Sequence, residues 1–368
     1  MILHLVFDDK FTDYAIRQFL PLGGSEFLTV VDRLDQHFIH IKQRDKIRIL
    51  KYNSDDYRSF LEHLSDYKAI ILHGFYTPWQ VDIVRHIPSS VKVCWVFWGG
   101  DMYQRPDICD SYLSKASLRL QRIRNRIKGT LPNGYIVPFD AYSRVDYLLD
   151  DSYENYEDVK RYIQKQDLKY LWYTYYSIEE TVGEKLMHSK AYGNNLMVGH
   201  SAGIRSNHID GFITVRKLHL KGYSIVSGLS YGEAWYRNLV LRFGRFLFGK
   251  KFKPLLDFMP LKQYNQFLCS CPIEVMPAYK PEGMGNCLTA LWLGAKVFLY
   301  ERNLKYQYFK RLGLIVFSID HDLVRSNKDW DCPLSDVEIE RNRMILMGQY
   351  GKAAMEQKLK IVVNELES

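Results

Sequence analysis

The chain has 368 residues, of which 47% are hydrophobic and 14% aromatic, and it carries a formal net charge of +8 at pH 7. This length exceeds the size at which a single core keeps growing, so we expect two domains, and the composition excludes a disordered or low-complexity chain. The positive charge favours anionic partners, which are a nucleic acid, an anionic lipid surface or a phosphorylated small molecule.

The first segment, residues 1–7, is apolar but has neither the basic start nor the small-residue cleavage site of a signal peptide, so it predicts a buried strand. No run approaches the roughly 20 apolar residues of a membrane span, which predicts a soluble or peripheral protein. The six cysteines are scattered without CxxC spacing or a histidine cluster at ligand distance, so we expect reduced thiols in a cytosolic core.

Apolar runs alternate with helix-like segments through the first half of the chain. Near-continuous apolar strands separated by helices are typical of a parallel sheet that is covered on both faces. We therefore predict a doubly wound, Rossmann-like first domain over residues 1–180. Its predicted strands are 2–7, 68–73, 91–98 and 134–137.

Polar side chains follow the first and third of these strands. Asp8, Asp9 and Lys10 come after the first, and Trp98-Gly99-Gly100-Asp101 closes the third. A carboxylate behind two glycines at the mouth of a sheet suits a general base or a ligand of a sugar hydroxyl, which makes Asp101 a candidate catalytic residue. The competing interpretation is that Asp101 only caps a helix.

Two basic segments interrupt the pattern. In 113–129, apolar residues follow steps of three and four, and six lysines and arginines stand between them without an acid. This is typical of a helix that lies on an anionic membrane, with contacts at Arg119, Arg122 and Arg126, and equally of a surface helix that docks on a sheet. In 236–253, phenylalanines beside lysines favour a bilayer over nucleic acid, unless the helix is buried and its basic side chains extend outward.

A second series of apolar runs begins after a polar helical linker around 177–189. It predicts a second doubly wound domain over 190–335, so the fold class is α/β with two tandem Rossmann-like domains that face each other across a cleft. The remaining segment, 336–368, has the apolar spacing of amphipathic helices, and we expect it to pack back across that cleft. The predicted strands are 195–199, 222–226, 273–276, 295–299 and 314–317.

Four loops of the second domain carry the residues of a candidate phosphate site. A glycine-rich turn from a strand into a helix holds phosphate through free backbone N–H groups and the helix dipole, and 281–286 has this form. The loops 199–208, 229–233 and 258–264 lie at the same predicted sheet edge, where open α/β sheets bind ligands. Asn207 or its neighbour Ser206 alternatively serves only as a helix cap. The predicted nucleotide ligands are Gly199, Ser201, Arg205, Asn207, Ser230, Tyr231, Met259, Leu261, Tyr264, Lys280, Gly285 and Asn286.

Several short motifs follow one another along the chain: Asp9-Lys10-Phe11, Trp98-Gly99-Gly100-Asp101-Met102-Tyr103, Val198-Gly199-His200-Ser201 with Asn207-His208, Leu229-Ser230-Tyr231-Gly232, Phe258-Met259-Pro260-Leu261 with Tyr264, and Met284-Gly285-Asn286 followed by Gly294-Ala295-Lys296-Val297. In this order and spacing they resemble the TDP-N-acetylfucosamine:lipid II N-acetylfucosaminyltransferase family, glycosyltransferase family 56. The resemblance implies a GT-B fold, a donor bound mainly in the second domain, a lipid-linked acceptor approached from the first, and no metal requirement. The acceptor side then includes Asp9, Lys10, Trp98 and Gly99.

The chain departs from the family pattern at two places. His200 replaces an asparagine of the family, and Lys280-Pro281 replaces an Arg-Gln pair. A lysine keeps a point charge for phosphate but loses the bidentate fork of arginine, so the nucleotide and sugar of the donor stay open. Glu282 also looks like the first glutamate of the paired-glutamate motif of retaining GT-B enzymes, which makes it the second candidate catalytic residue, although the second glutamate is absent near Thr289.

Together with the resemblance, these features predict a hexosyltransferase that takes a sugar from a nucleoside-diphosphate donor and has no cofactor besides this substrate. The resemblance implies that the enzyme needs no metal, that the sugar is an amino or deoxy sugar, and that the acceptor is a polyprenyl-diphosphate-linked glycan. Backbone N–H groups near Ser201 and Gly285 would stabilise the leaving diphosphate, together with the side chains of Arg205 and Lys280. The enzyme would lie on the cytoplasmic face of the inner membrane and serve surface polysaccharide assembly without binding nucleic acid. The alternatives are a nucleotide-sugar epimerase or hydrolase on the same double fold, and a non-catalytic nucleotide-sugar-binding protein.

Overall fold

The computed structural model of the chain describes residues 1–129 and 134–368. These residues form two compact units. The predicted boundary near 180–190 lies close to the passage between them after Tyr176, but residues 106–129 belong to the second unit and not to the first. The predicted C-terminal segment is likewise divided. The first unit comprises 1–105, 134–176 and 353–368, and the second comprises 106–129 and 177–352.

Strands and helices alternate along most of the chain. The strands of the described residues are β1 (Ile2–Leu5), β2 (Ser25–Val31), β3 (Ile47–Lys51), β4 (Ala69–His73), β5 (Lys92–Val96), β6 (Tyr147–Asp150), β7 (Lys169–Trp172), β8 (Asn195–Val198), β9 (Ser224–Gly228), β10 (Phe252–Leu255), β11 (Ile273–Met276), β12 (Lys296–Leu299) and β13 (Phe317–Ser318). The α-helices are α1 (Lys10–Phe19), α2 (Asp55–Glu62), α3 (Pro78–His86), α4 (Gly100–Tyr103), α5 (Lys115–Lys128), α6 (Phe139–Tyr142), α7 (Tyr153–Ile163), α8 (Ile178–Val182), α9 (His208–Arg216), α10 (Ala234–Phe248), α11 (Leu261–Leu268), α12 (Met284–Trp292), α13 (Leu304–Arg311), α14 (Asp336–Tyr350) and α15 (Lys352–Glu367).

The first unit contains a parallel sheet in the order β3-β2-β1-β4-β5-β6-β7. Ile2 of β1 lies opposite Ser25 of β2 and Ala69 of β4, so the first strand stands between the second and the fourth. The strands β1 and β4 are buried along their whole length, which is why the sequence shows them as continuous apolar runs.

The second unit repeats this topology with the strand order β10-β9-β8-β11-β12-β13. Ile273 of β11 lies opposite Leu196 of β8 and Lys296 of β12. The direction in which strands are added therefore reverses between β8 and β11. The two parallel sheets confirm the predicted α/β class with two Rossmann-like halves.

Several strand predictions fail for physical reasons. The run 134–137 is not a strand, because Tyr135 and Ile136 are exposed and the chain turns into α6 after Pro138. The strand that pairs with β5 on the side away from β4 is β6. The basic segment 236–253 conceals β10, an edge strand that contains Pro254, and a proline is tolerated at the edge of a sheet. The sequence prediction also missed β2, β3 and β7.

The start of α5 is fixed within the second unit. Leu113 lies in the core of this unit, and the Ser114 hydroxyl accepts the N–H of Ser117 at 3.0 Å as an N-cap. The backbone N–H of Ser114 donates to Asn207 Oδ1 at 2.9 Å, and its hydroxyl donates to Asp210. These contacts explain why 106–129 joins the second unit although the neighbouring chain belongs to the first.

The predicted C-terminal helices are present as α14 and α15, which belong to different units. In the first unit, Val362 and Leu366 of α15 are buried in the core. The Lys92 ammonium group donates to the carbonyl of Glu365 at 2.7 Å, so a lysine of the sheet satisfies the end of the helix. In the described part of the chain, no helix has both the length and the apolar character needed to cross a bilayer.

We expect Leu366→Ala to lower the free energy of unfolding of the first unit by about 2–5 kcal/mol, because it removes a fully buried side chain from the core. Ile361→Ala on the same helix is the control, since Ile361 is 61% exposed. Urea-induced unfolding followed by circular dichroism measures both variants. Equal midpoints would show that the buried face of α15 does not stabilise the unit.

Candidate functional site

The candidate site lies in the second unit, at the carboxyl ends of β8 and β11. Open parallel sheets bind ligands where the strand order reverses, because the loops that follow the two strands diverge and leave a crevice. Here these loops are 199–207 and 277–283, and the loop 229–233 follows the neighbouring strand β9.

The loop after β8 needs a glycine at its first position. Gly199 has a φ of +66°, and a β-carbon there would lie 2.5 Å from Nε2 of the buried His208. At the other end of the loop, Asn207 is completely buried in a left-handed conformation. Its amide accepts from the N–H of Ser114 and donates to the carbonyl of Tyr112 at 3.3 Å. The Asn207 side chain therefore holds 112–114 in place, and the structure does not direct it toward a ligand, contrary to the donor contact that we predicted.

The loop after β9 is joined to the loop after β8 by backbone hydrogen bonds. The N–H of Ala202 donates to the carbonyl of Tyr231 at 2.8 Å, and the N–H of Glu233 donates to the carbonyl of Ala202 at 3.0 Å. This close approach requires Gly232, where a β-carbon would lie 2.5 Å from the Ala202 carbonyl carbon. The predicted residues Ser201, Ser230 and Tyr231 are thereby brought to one edge of the unit.

Arg205 stands in this edge with an unused donor. Its Nε atom is buried and has no hydrogen-bond partner among the described residues. Burial raises the pKa of the nearby Glu233, and the charge of Arg205 partly opposes that rise. An arginine with a spare N–H group can donate to a phosphate oxygen.

The turn after β11 leads into a helix whose N-terminus is open. Gly283 precedes α12 with a φ of +69°, and no side chain caps the helix. The N–H groups of Met284, Gly285 and Asn286 make no hydrogen bond within the described part of the chain. Free amides at a helix N-terminus, with the positive end of the helix dipole, favour an anion.

Buried charges line the same turn. The Glu282 carboxylate accepts from the Ser206 hydroxyl at 3.0 Å and lies 3.4 Å from the Lys280 ammonium nitrogen. Ser206 also lies 3.2 Å from the hydroxyl oxygen of Ser201. Burial alone would raise the pKa of Glu282, but the charge of Lys280 leads the neighbours that outweigh it, so this pKa is lowered. Glu282 is therefore an ionised carboxylate that touches both loops.

The remaining predicted ligands lie on neighbouring elements. Asn286 donates from Nδ2 to the Tyr264 hydroxyl at 2.9 Å, which links α12 to α11. Leu261 begins α11 and is 55% exposed, and Met259 is half-buried in the loop before it. The structure thus joins Tyr264 and Asn286 by a contact, whereas Met259 and Leu261 only border this region.

Two functional residues were missed by the sequence interpretation. Lys305 of α13 is 1% exposed and donates to the Glu282 carbonyl, and Asn303 donates to the Lys280 carbonyl at 3.0 Å. Both side chains therefore hold the backbone of the turn after β11 in place through its carbonyl groups. The available signal is spacing, since Lys305 shares one helix face with the buried Tyr308 and Phe309, where a charge needs a partner.

In the first unit, the Asp101 carboxylate accepts hydrogen bonds from the preceding strand and loop. Its carboxylate is 6% exposed and accepts from Trp95 Nε1 at 2.6 Å and from the Trp98 N–H at 3.3 Å. Burial raises the pKa of Asp101 to about 7. These contacts hold the loop that contains Trp98 and Gly99, and the role of Asp101 as an acceptor base stays a prediction.

A buried hydrogen-bond chain supports the Trp98 indole. Trp98 Nε1 donates to the Tyr175 hydroxyl at 2.9 Å, which lies 2.8 Å from His73 Nδ1. His73 in turn lies 3.0 Å from His4. Burial lowers the pKa of His73 to about 3, so the histidines are neutral and orient the indole rather than carry charge.

The other predicted acceptor-side residues have local partners. Asp9 is the N-cap of α1 and accepts the N–H of Phe11 at 3.0 Å. The Lys10 ammonium nitrogen lies 5.0 Å from the centre of the Phe11 ring, and Gly99 has a φ of +77°. Within the ranges described, no three His, Cys, Asp or Glu side chains are grouped as metal ligands.

Comparison with known proteins shows the fold. No protein-family model and no curated protein matches the sequence. A sucrose-phosphate synthase from Thermosynechococcus elongatus matches with a TM-score of 0.64 and 11% identity over 100% of this chain and 98% of its own. HepE of Anabaena in complex with UDP and glucose matches with a TM-score of 0.61 and 11% identity over 99% of each chain. A glycosyltransferase from Rickettsia africae ESF-5 matches with a TM-score of 0.64 and 11% identity over 100% of this chain and 98% of its own. The chain therefore has the GT-B fold, as predicted, while its kinship with glycosyltransferase family 56 stays a resemblance.

Glu274 gives the second unit a pH-dependent stability. It lies in β11 with 1% exposure, and its carboxylate oxygens have no hydrogen-bond partner among the residues described. Burial raises the pKa of Glu274 to about 7, and the charge of Lys305 only partly opposes this. Since the pKa is higher in the folded state than in the unfolded one, the stabilising contribution is present at low pH and is lost as the pH rises toward and through 7.

We expect Glu274→Gln to flatten the pH dependence of stability between pH 5 and 8, where the wild type loses on the order of 1–3 kcal/mol through this group. Urea-induced unfolding at several pH values measures the slope. Glu184→Gln, at an exposed position of the same unit, is the control and retains the wild-type slope. An unchanged slope in Glu274→Gln would contradict the assignment.

Proposed function

We propose that the protein is a glycosyltransferase that transfers a sugar from a nucleoside diphosphate to a polyprenyl-diphosphate-linked glycan. The observation that carries the proposal is the open N-terminus of α12 at the strand-order reversal, preceded by the buried Lys280–Glu282 pair and joined through Glu282 to the hydroxyls of Ser206 and Ser201. Arg205 stands on the same loop as these serines. This combination of free amides, cations and hydroxyls is suited to a diphosphate.

The structural neighbours support a nucleotide-sugar donor. HepE of Anabaena was solved with UDP and with UDP-glucose, and an α-glucosyltransferase of the same fold was solved with UDP. We infer that this chain uses the same class of donor. In our proposal the donor diphosphate lies against the N-terminus of α12, and Tyr231, Tyr264 and Asn286 contact the base, ribose or sugar.

The reaction breaks the bond between the anomeric carbon and the diphosphate oxygen and forms a bond from the acceptor hydroxyl oxygen to that carbon. The hydroxyl proton leaves to a base, for which Asp101 is the candidate. The electron pair of the broken bond stays on the diphosphate, which gains negative charge. Fixed N–H groups and cations that face this charge lower the barrier because they need no reorganisation. Metal independence belongs to the proposal because the family resemblance implies it.

Acceptor recognition is assigned to the first unit. Phe7 and Phe11 pack against the half-buried Trp98, with ring centres at 5.1 and 5.0 Å. Such aromatic rings at the carboxyl edge of a sheet can stack on sugar rings through their apolar faces. Trp98 and Gly99, held by Asp101, are the proposed centre of this surface, with Asp9 and Lys10 beside it.

Membrane association is assigned to α5. Its second half exposes Ile123 by 54% and Ile127 by 75%, whereas its first half is packed in the second unit. Arg119, Arg122 and Arg126 are exposed on the same helix. Exposed apolar side chains among arginines match an anionic lipid surface in both charge and hydrophobicity, which supports a location on the cytoplasmic face of the membrane.

The test of function is an assay with radiolabelled nucleotide sugars and polyprenyl-diphosphate-linked glycans. We expect a labelled lipid product and release of the nucleoside diphosphate. Release without a labelled lipid would indicate a hydrolase, and an altered nucleotide sugar would indicate an epimerase. Binding without any turnover would indicate a non-catalytic protein, so each of these results contradicts the proposal.

We expect Lys280→Ala and Arg205→Ala each to weaken the binding of UDP or dTDP by roughly 10- to 100-fold, because each removes a charge-assisted hydrogen bond to phosphate. Isothermal titration calorimetry measures the affinity, and the melting temperature without nucleotide checks that each variant folds. Lys217→Ala, at an exposed position at the end of α9, is the control. Unchanged affinity in both variants would remove these residues from the site.

We expect the triple variant with Arg119, Arg122 and Arg126 changed to glutamate to lose at least tenfold in binding to phosphatidylglycerol vesicles, since each basic residue near the surface contributes about 1 kcal/mol. Vesicle flotation measures binding. A second triple variant, with the exposed Arg216, Lys217 and Lys221 changed to glutamate, undergoes the same change in net charge. Equal losses in the two variants would show that total charge, and not α5, determines binding.

A further inference from the structure

His200 is a buried side chain at the strand-order reversal that the proposed reaction does not yet use. Only 9% of its surface is exposed, and its Nδ1 atom has no hydrogen-bond partner among the described residues. The same atom lies 3.0 Å from the place that a β-carbon on Gly283 would occupy. The free ring nitrogen is therefore directed at the residue that caps α12, beside the open helix amides.

An unpartnered polar atom in such a place calls for a ligand. Burying a polar group without a partner costs free energy, so buried polar atoms are almost always hydrogen-bonded. The helix amides and the imidazole are separate observations, and one anion can accept from both once Nδ1 carries a proton. The glycine at 283 lets the imidazole lie against this turn, because a β-carbon there would lie 2.7 Å from the Met276 methyl carbon and 3.0 Å from Nδ1.

We propose that His200 takes up a proton when the diphosphate binds and donates a hydrogen bond from Nδ1 to a phosphate oxygen. This inference rests on the proposed function, since it assigns a ligand contact within the same donor site. It makes His200 a phosphate-binding residue whose charge depends on the ligand.

Burial holds His200 neutral in the free protein. Burial is the main cause that lowers the pKa of His200 to about 4; Glu282 opposes this, and the charges of Lys305 and Lys280 act in the same direction as burial. The neighbouring His208 is also buried, and its pKa is lowered to about 3, so it contributes no positive charge. The free protein thus has an uncharged imidazole throughout the physiological pH range.

A diphosphate changes this balance. It brings at least two negative charges to the helix terminus, and one opposite charge within about 4–6 Å moves a pKa by one to three pH units. The added charges outweigh the two lysines, whose repulsion the phosphate oxygens also screen by accepting from Lys280. Protonated imidazole donates from both nitrogens, so Nδ1 changes from an orphan atom into a charge-assisted donor.

The test uses inorganic pyrophosphate, which presents the diphosphate without base or sugar, and the full-length protein labelled with 13C at histidine Cε1. The Cε1–H signal of His200 is assigned by its absence from the spectrum of His200→Asn. We expect this signal to report a neutral ring between pH 5.5 and 8 in the free protein. With saturating pyrophosphate it titrates within that range, at a pH at least one unit above its value in the free protein.

Calorimetry provides the second readout. Binding of pyrophosphate in two buffers of different ionisation enthalpy gives the number of protons taken up, and the difference between wild type and His200→Asn cancels the protonation of pyrophosphate itself. We expect the wild type to take up more protons than His200→Asn, a variant that keeps a hydrogen-bond donor but cannot be protonated. His219→Asn, at an exposed position, is the control and matches the wild type.

The outcomes separate this inference from the proposed function. Pyrophosphate that binds while His200 stays neutral overturns the proton uptake and leaves the donor site intact. Pyrophosphate that fails to bind at all overturns both. A melting temperature of His200→Asn close to that of the wild type shows that any loss of binding does not arise from unfolding.

Discussion

The site depends on an open helix terminus and a set of buried charges that lie together at the reversal of the second sheet. Lys280 and Lys305 are both almost completely buried, and Glu282 provides a carboxylate to the first and a carbonyl to the second. A buried charge without a partner costs several kcal/mol, so this arrangement must hold its charges close together. One ionised carboxylate cannot balance two lysines, and burial disfavours the charged form of the nearby Glu274 and raises its pKa to about 7. The surplus charge of this cluster is positive and lies beside the positive end of the α12 dipole, which favours an anionic ligand.

The topology accounts for the position of this charge cluster. Parallel strands end at the same edge, and the loops that diverge at β8 and β11 leave room only at that reversal. The first sheet has the corresponding reversal between β1 and β4, where the loops carry the rings of Phe7 and Tyr76, with centres 5.8 Å apart, and the helix-capping carboxylate of Asp9. One topology therefore presents two different surfaces, and we assign the charged one to the donor and the aromatic one to the acceptor.

The sequence predicts the parts of this molecule in which local pattern and tertiary burial agree. Strands buried on both faces, such as β4 and β5, are recognisable as apolar runs, and the turn 281–286 is recognisable as an open helix start. The edge strand β10 and the contact role of Asn207 could not be predicted, because each is determined by partners distant in the chain. The role of Lys305 could not be predicted for the same reason, since it depends on a hydrogen bond to the carbonyl of Glu282, 23 residues earlier. Contacts between residues that are distant in the chain are therefore what the sequence alone does not determine, whereas helix and strand propensities are local.

The segment 106–129 connects the two functions that we assign to the second unit. Asn207 ends the loop that carries Arg205, and it binds Ser114, the residue that caps α5. Asp210 of α9 accepts from the same serine, so the start of the basic helix and the donor loop share one buried hydrogen-bonded joint. A buried joint of this kind is rigid because breaking it would leave polar groups unpaired. In the proposed function, a membrane bound by the arginines of α5 would therefore also fix the orientation of the loop 199–207 relative to the lipid, as transfer to the proposed lipid-linked acceptor would require.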